Sequence, residues 1–249
     1  MSGHSKWSTI KHKKGRADAK RGKIFTKIIR EITVSAREGG GDADANPRLR
    51  AAVAAAKAAN MPADNIKRAV QRGTGELPGV SYEAMSFEGY GPGGAAVMLE
   101  LLTDNRNRTT PEIRHLFAKH GGNLGENGCV SWLFTRKGLI LVERTPDLDE
   151  DTFMELVLET GAEDLDTEDD DYYRVFTAAE ELHQVKDRLE EGGVAVEAAQ
   201  FEMEPSTTTR LEGKAAQQML RLMEAFDDHE DVQNVWSNFD IDDELLADS

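Results

Sequence analysis

The sequence predicts an α+β protein: a helical N-terminal domain followed by two α/β sandwich domains, the last one inserted into the other and ferredoxin-like. Three observations lead there. Apolar residues recur at helical spacing up to about residue 73, then alternate as in strands from Tyr82 onward. The order of elements over 138–204 is close to βαββαβ. One amphipathic helix and one strand are then left over. They are too little for a domain, so they are expected to return to the sheet of residues 79–136.

Residues 1–16 have no apolar period and read as an arm. Phe25, Ile28, Ile29, Ile32 and Ala36 then share one face of a helix near 18–38, which Gly39-Gly40-Gly41 ends. Asn46 as N-cap and Pro47 at the first position open a second helix, with Leu49, Val53 and Ala56 inward. Pro62 opens a third, with Ile66, Ala69 and Val70 inward, closed by Gly73. Strands are expected over 82–89 and 96–102, joined by a Gly91-Pro92-Gly93-Gly94 turn. A helix follows, capped by Thr109 or Thr110, with Glu112 completing a capping box. Val130 to Phe134 reads as another strand.

In the next stretch, strands are expected at 139–142, 172–176 and 194–201, and helices around 153–158 and 180–190. Ala216, Met219, Leu220, Met223 and Phe226 mark the late helix, and 232–239 the last strand. The domains are therefore expected at 1–78 (basic arm plus three helices), 79–136 with 206–241 (discontinuous α/β), and 137–205 (inserted, acidic). An acidic tail covers 242–249.

Of the 249 residues, 39% are hydrophobic and 31% charged, which excludes a disordered chain. No apolar run is long enough for a bilayer, and no signal-peptide core follows the start. Cys129 is the only cysteine, so an internal disulfide and a thiolate-rich metal site are both excluded, and a cytoplasmic location is expected.

The net charge of −16 is unevenly spread. Residues 1–78 hold 17 Lys and Arg against 7 Asp and Glu, while residues 79–249 hold 13 against 39. Such an asymmetry suits a nucleic-acid partner and no membrane. The basic segment could instead dock onto the chain's own acidic remainder.

The candidate nucleic-acid contacts are Lys6, Trp7, Lys11, His12, Lys13, Lys14 and Arg16 in the arm, with Lys20, Arg21, Lys23 and Lys27 on the first helix. Trp7 would stack on a base or pin the arm to the next domain. Arg30 is expected outward beside them, as are Arg48, Arg50, Lys67, Arg68 and Arg72 on the other two helices, with no acids to compensate. Arg106 and Arg108 crowd a helix start, where they would hold a phosphate or pair with Asp104 or Glu126.

Catalytic templates fail. The glycine runs lack the residues of a phosphate loop or dinucleotide fingerprint. Cys129 with His115 and His120 would make a thiol–imidazole pair, but the expected apolar strand favours a buried thiol. Asp164, Asp166, Glu168 and Asp169-Asp170-Asp171 lack calcium-loop spacing and read as a solvated loop. No enzyme activity, cofactor or metal is expected.

Several motifs together resemble the YebC/PmpR family. They are Met1-Ser2-Gly3-His4-Ser5-Lys6-Trp7 with Ile10-Lys11-His12-Lys13-Lys14, Asn60-Met61-Pro62, Arg72-Gly73-Thr74-Gly75, Phe87-Glu88-Gly89-Tyr90-Gly91-Pro92-Gly93-Gly94 and Leu102 to Thr109. Lys119-His120-Gly121-Gly122-Asn123-Leu124-Gly125 and Asn238-Phe239-Asp240 extend the likeness to about residue 240. The resemblance implies three domains and a cytoplasmic DNA-binding transcriptional regulator. The alternative it implies is a ribosome-associated translation factor that binds ribosomal RNA or tRNA.

Overall fold

The computed structural model describes residues 21–242. The chain divides into two compact units. One is built from residues up to Ser131 and from Thr208 onward, the other from Trp132–Thr207.

The first unit begins with three helices, α1 (Arg21–Gly39), α2 (Pro47–Ala58) and α3 (Ala63–Gly73). Their shared core is Ile32, Ala36, Leu49, Ala52, Ala56, Met61 and Ala69, with Phe25, Ile28 and Ile29 packed against it. The Asn46 side chain accepts the Leu49 N–H at 3.1 Å, and Pro47 needs no donor there, so α2 starts where both residues favour it. Small residues let α1 and α3 approach closely. A Cβ on Gly73 would lie 2.5 Å from the Thr33 carbonyl oxygen. Thr33 in turn donates from its hydroxyl to the carbonyls of Ile29 and Ala69.

A four-stranded antiparallel sheet follows, in the order β3 (Asn123–Leu124), β1 (Glu83–Tyr90), β2 (Ala96–Thr103), β9 (Val232–Ser237). The β1–β2 turn uses Gly93 and Gly94 in the left-handed region, at φ 68° and 81°. Helices α4 (Arg106–Lys119) and α7 (Gly213–Asp227) pack on this sheet. Leu99 and Leu101 of β2 meet Ile113, Phe117, Met223 and Phe226, and the rings of Phe117 and Phe226 stand edge to face with centroids 4.9 Å apart. The late strand β9 therefore sits beside β2 although about 130 residues separate them in sequence. Short strands β8 (Thr209–Arg210) and β10 (Phe239–Asp240) pair in parallel.

The expected strand over 130–134 is not there. Residues 131–133 form a 3₁₀ turn, and β4 runs over Phe134–Glu143. The reason is Glu88. Its carboxylate accepts the backbone N–H groups of Gly128, Val130 and Ser131, each at 2.8 Å, and so removes the donors a ladder would need.

In the second unit β4 is followed by α5 (Glu150–Thr160), β5 (Asp164–Asp166), β6 (Tyr172–Ala178), α6 (Leu182–Glu191) and β7 (Val196–Pro205). The antiparallel order β5-β6-β4-β7 is the ferredoxin-like arrangement. Asp149 caps α5 by accepting the Thr152 N–H at 3.0 Å. Phe153, Val157, Val185 and Leu189 of the two helices bury against Ile140, Val142 and Val175. The expected loop over 164–171 begins as strand β5, where Asp166 pairs with Arg174 at 2.6 Å, and in the turn that follows Asp169 accepts the Asp171 and Tyr172 N–H groups.

Candidate nucleic-acid interface

Of the candidate contacts, Lys6, Trp7, Lys11, His12, Lys13, Lys14, Arg16 and Lys20 lie outside the described residues, as does the side chain of Arg21 at the start of α1. The next two face the chain's own acids. Lys23 Nζ is 3.2 Å from Asp228 Oδ1, and Lys27 Nζ donates to the Asp227 carbonyl at 2.8 Å.

Arg30 departs from its expected outward position, for it is 6% exposed. Its guanidinium donates to Asp231 Oδ1, to the Glu230 carbonyl at 2.7 Å and to the Leu102 carbonyl at 3.2 Å. The helical period was read correctly, but it names faces without saying which face a distant segment covers. Here the connection from α7 to β9, Asp228-His229-Glu230-Asp231, covers it.

Asp231 organises this corner. Besides Arg30, it accepts Arg108 Nη2 at 2.9 Å and the Thr109 hydroxyl at 2.6 Å, while Thr109 itself accepts from Thr103 at 2.7 Å. Burial pushes the Asp231 carboxyl up, but the hydrogen bonds from Thr109, Arg108 and Arg30 outweigh it and hold the group below the ordinary aspartate range. Arg108 also pairs with Asp104 at 3.0 Å, so its charge is largely spent within the fold.

Helix α4 is capped by Asn105, which accepts the Arg108 N–H at 3.1 Å, and not by Thr109 or Thr110. Thr109 is fully buried and serves Asp231 instead. Sequence reading missed Asp231. The signal was present in the acidic run at 227–231, four of whose five residues are acids facing a basic helix.

Compensating acids also reach α2, contrary to expectation. Arg48 bonds Glu31 at 2.7 Å and Glu38 at 2.6 Å, and these carboxylates hold its charge on. Arg50 donates to the carbonyls of Ala43 and Asp44. Helix α3 differs. Lys67, Arg68 and Arg72 are exposed, and no ion pair among the described residues reaches them. Arg106 is exposed and unpaired in the same sense.

Glu112, His229 and Asp231 bring three potential metal-ligand atoms within 4.8 Å of one another. Their donors are already engaged: His229 Nδ1 accepts the Asp231 N–H, His229 Nε2 lies 3.2 Å from Glu112, and both Asp231 oxygens hold cationic or hydroxyl partners. The arrangement is a charge cluster balanced by arginines and does not fit a metal. Cys129 lies in the Glu88-held turn, not a strand. Burial and the nearby Glu88 carboxylate push its thiol up, away from the nucleophilic thiolate.

The acidic excess is largest in the inserted unit and continues in the α/β part, where residues 79–131 and 208–249 hold 7 Lys and Arg against 17 Asp and Glu. Residues 132–207 hold 6 Lys and Arg against 22 Asp and Glu, while the other unit holds 24 of each. No helix among the described residues is long and apolar enough to cross a membrane.

Fold and charge together define a class: an α+β protein with a cationic helical region, a discontinuous α/β sheet and an acidic ferredoxin-like unit. The model of the TACO1/YebC protein N-terminal domain matches residues 5–76, and that of the TACO1/YebC second and third domain matches 82–239. The chain belongs to the TACO1/YebC family. It is 58% identical to a "probable transcriptional regulatory protein" of Desulforapulum autotrophicum over 245 residues, 98% of each chain. A protein of the same printed name from Syntrophobacter fumaroxidans is also 58% identical, over 99% of this chain and 98% of its own. Among solved structures, a conserved hypothetical protein from Aquifex aeolicus superposes with a TM-score of 0.84 at 48% identity, covering 92% of this chain and 94% of that one.

Proposed function

We propose that this chain is a cytoplasmic DNA-binding transcriptional regulatory protein that grips phosphates with its basic N-terminal segment. The observation that carries the reading is the open α3 face. Lys67, Arg68 and Arg72 are exposed and no ion pair among the described residues reaches them, whereas Lys23, Lys27, Arg30, Arg37, Arg48 and Arg50 are matched to acids, carbonyls or a hydroxyl. Arg68 and Arg72 stand one turn apart, with Lys67 adjacent, so the three can meet successive phosphates. The arm, with Lys11, Lys13 and Lys14, adds cations on the same chain segment. The name given to its relatives agrees with this role.

Such contacts position a protein without reading bases. Lys13→Glu with Lys14→Glu, and separately Lys67→Glu with Arg68→Glu, should therefore weaken binding to all duplexes alike. Fluorescence anisotropy on a labelled promoter fragment and a scrambled one tests this. A wild-type protein that retards neither at low salt would end the reading. Displacement from DNA by ribosomal RNA at far lower concentration than by competitor DNA would replace DNA with RNA as the target.

A further inference from the structure

Helices α4 and α7 carry a second group of cations that the basic segment does not include. Arg106, Arg114, His115 and Lys119 lie on exposed positions of α4, and Arg221 lies on an exposed position of α7. Among the described residues no ion pair reaches any of them. The acid closest in sequence on α4, Glu112, is committed to Arg108 and His229. His115 and Lys119 stand one turn apart on the same side of α4.

The two helices converge at the C-terminus of α4. A Cβ on Gly121 would lie 3.4 Å from the Gln218 amide, and Gln218 is one turn from Arg221. His120 sits in that junction. Burial lowers its pKa most, and the positive field of Lys119, Arg221 and His115 lowers it further. Lys119, His115 and Arg221 are therefore gathered around His120 at this junction, and no ion pair among the described residues reaches them.

We propose that the outer surface of α4 and α7, centred on Lys119, His115 and Arg221, is a second phosphate-contact surface. It would take the backbone of the same nucleic acid that the N-terminal segment grips. This inference rests on the nucleic-acid reading above. The α/β part that bears it, residues 79–131 and 208–249, holds 7 Lys and Arg against 17 Asp and Glu, so these exposed cations form a local basic patch on an otherwise acidic domain. Its contacts, like those of α3, would follow the backbone and add register, not base recognition.

The test is salt-dependent anisotropy on a labelled DNA duplex, with full-length wild type, the Lys119→Glu/Arg221→Glu variant and a Lys186→Glu control in the acidic unit. Two lost phosphate contacts should lower the slope of log K against log salt by about 1.8, and the control should leave it unchanged. Because Lys119 and Arg221 are exposed and unpaired, the variant should fold as wild type does, and circular dichroism verifies that. A wild-type slope in the folded double variant overturns the inference while leaving the N-terminal reading intact. So does an equal drop in the control, which would mark a generic charge effect. A wild type that binds no duplex overturns both.

Discussion

Helices α1 and α3 belong to the same basic segment, yet their cations end differently. On α1, Lys23, Lys27 and Arg30 meet Asp228, the Asp227 carbonyl and Asp231, the last two about 200 residues away in the chain. On α3, Lys67, Arg68 and Arg72 meet no acid among the described residues. A charge count treats the two helices alike. What separates them is which face a distant acidic connection covers, so part of the basic segment does dock onto the chain's own acids, while the described α3 cations do not.

The largest effect should come from removing the acid that defines the covered face. Asp231→Ala leaves the buried Arg30 with only two carbonyls and the Glu230 carboxylate at 3.6 Å, and it removes the acceptor that Arg108 and Thr109 share. Breaking one partner of a buried pair typically costs about 3–5 kcal/mol, so urea unfolding should show a loss of that order. An unchanged midpoint would mean that the corner is not structural.

The same carboxylate makes the fold acid-sensitive. Its folded pKa lies below the unfolded value, so its stabilisation is complete above the ordinary Asp pKa of about 3.9 and is lost as pH falls through the folded value. Between neutrality and that lower value, Asp231→Asn should flatten the pH dependence of stability relative to wild type. Parallel curves would contradict the assignment.

Glu88→Gln should come next, at roughly 1–3 kcal/mol, because an amide oxygen and a donor-bearing nitrogen cannot accept three backbone N–H groups as a carboxylate does. Loosening that turn should also speed labelling of Cys129 by a thiol reagent. A labelling rate equal to wild type would argue against Glu88 as the clamp.

The smallest effect belongs to Lys23→Gln. Its pair with Asp228 is exposed on both sides, and such pairs contribute about 0.2–1 kcal/mol. A thermal shift as large as that of Asp231→Ala would erase the distinction between rim and buried corner.

Much of this fold was legible because local signals and packing agreed. The face Phe25, Ile28, Ile29, Ile32 and Ala36 packs against the shared helical core, and Asn46-Pro47 opens α2, since period and capping chemistry are written in adjacent residues. The βαββαβ order was nearly readable for the same reason, but its short second strand, Asp164–Asp166, reads as a loop because three residues carry no period. The failures came from long-range polar contacts. Val130 to Phe134 has a strand's apolar content, but Glu88, some forty residues earlier, takes its backbone donors. Thr109 looks like a cap, but Asp231 takes its hydroxyl. Arg30 looks like a surface cation for want of any local sign of Asp231. The basic segment was legible as a charge excess, but which of its cations are paired was not, because that depends on which acids the fold brings to them.

The central claim is that α3 offers Lys67, Arg68 and Arg72 outward while α1 has committed Lys23, Lys27 and Arg30. The salt dependence of DNA binding in two variants tests it directly: Lys67→Gln/Arg68→Gln/Arg72→Gln against Lys23→Gln/Lys27→Gln. The α3 variant should lower the log–log slope by about 2.7, close to 0.9 per lost phosphate contact, and the α1 variant should keep the wild-type slope. An unchanged slope in the α3 variant, or an equal loss per cation in the α1 variant, would contradict the account.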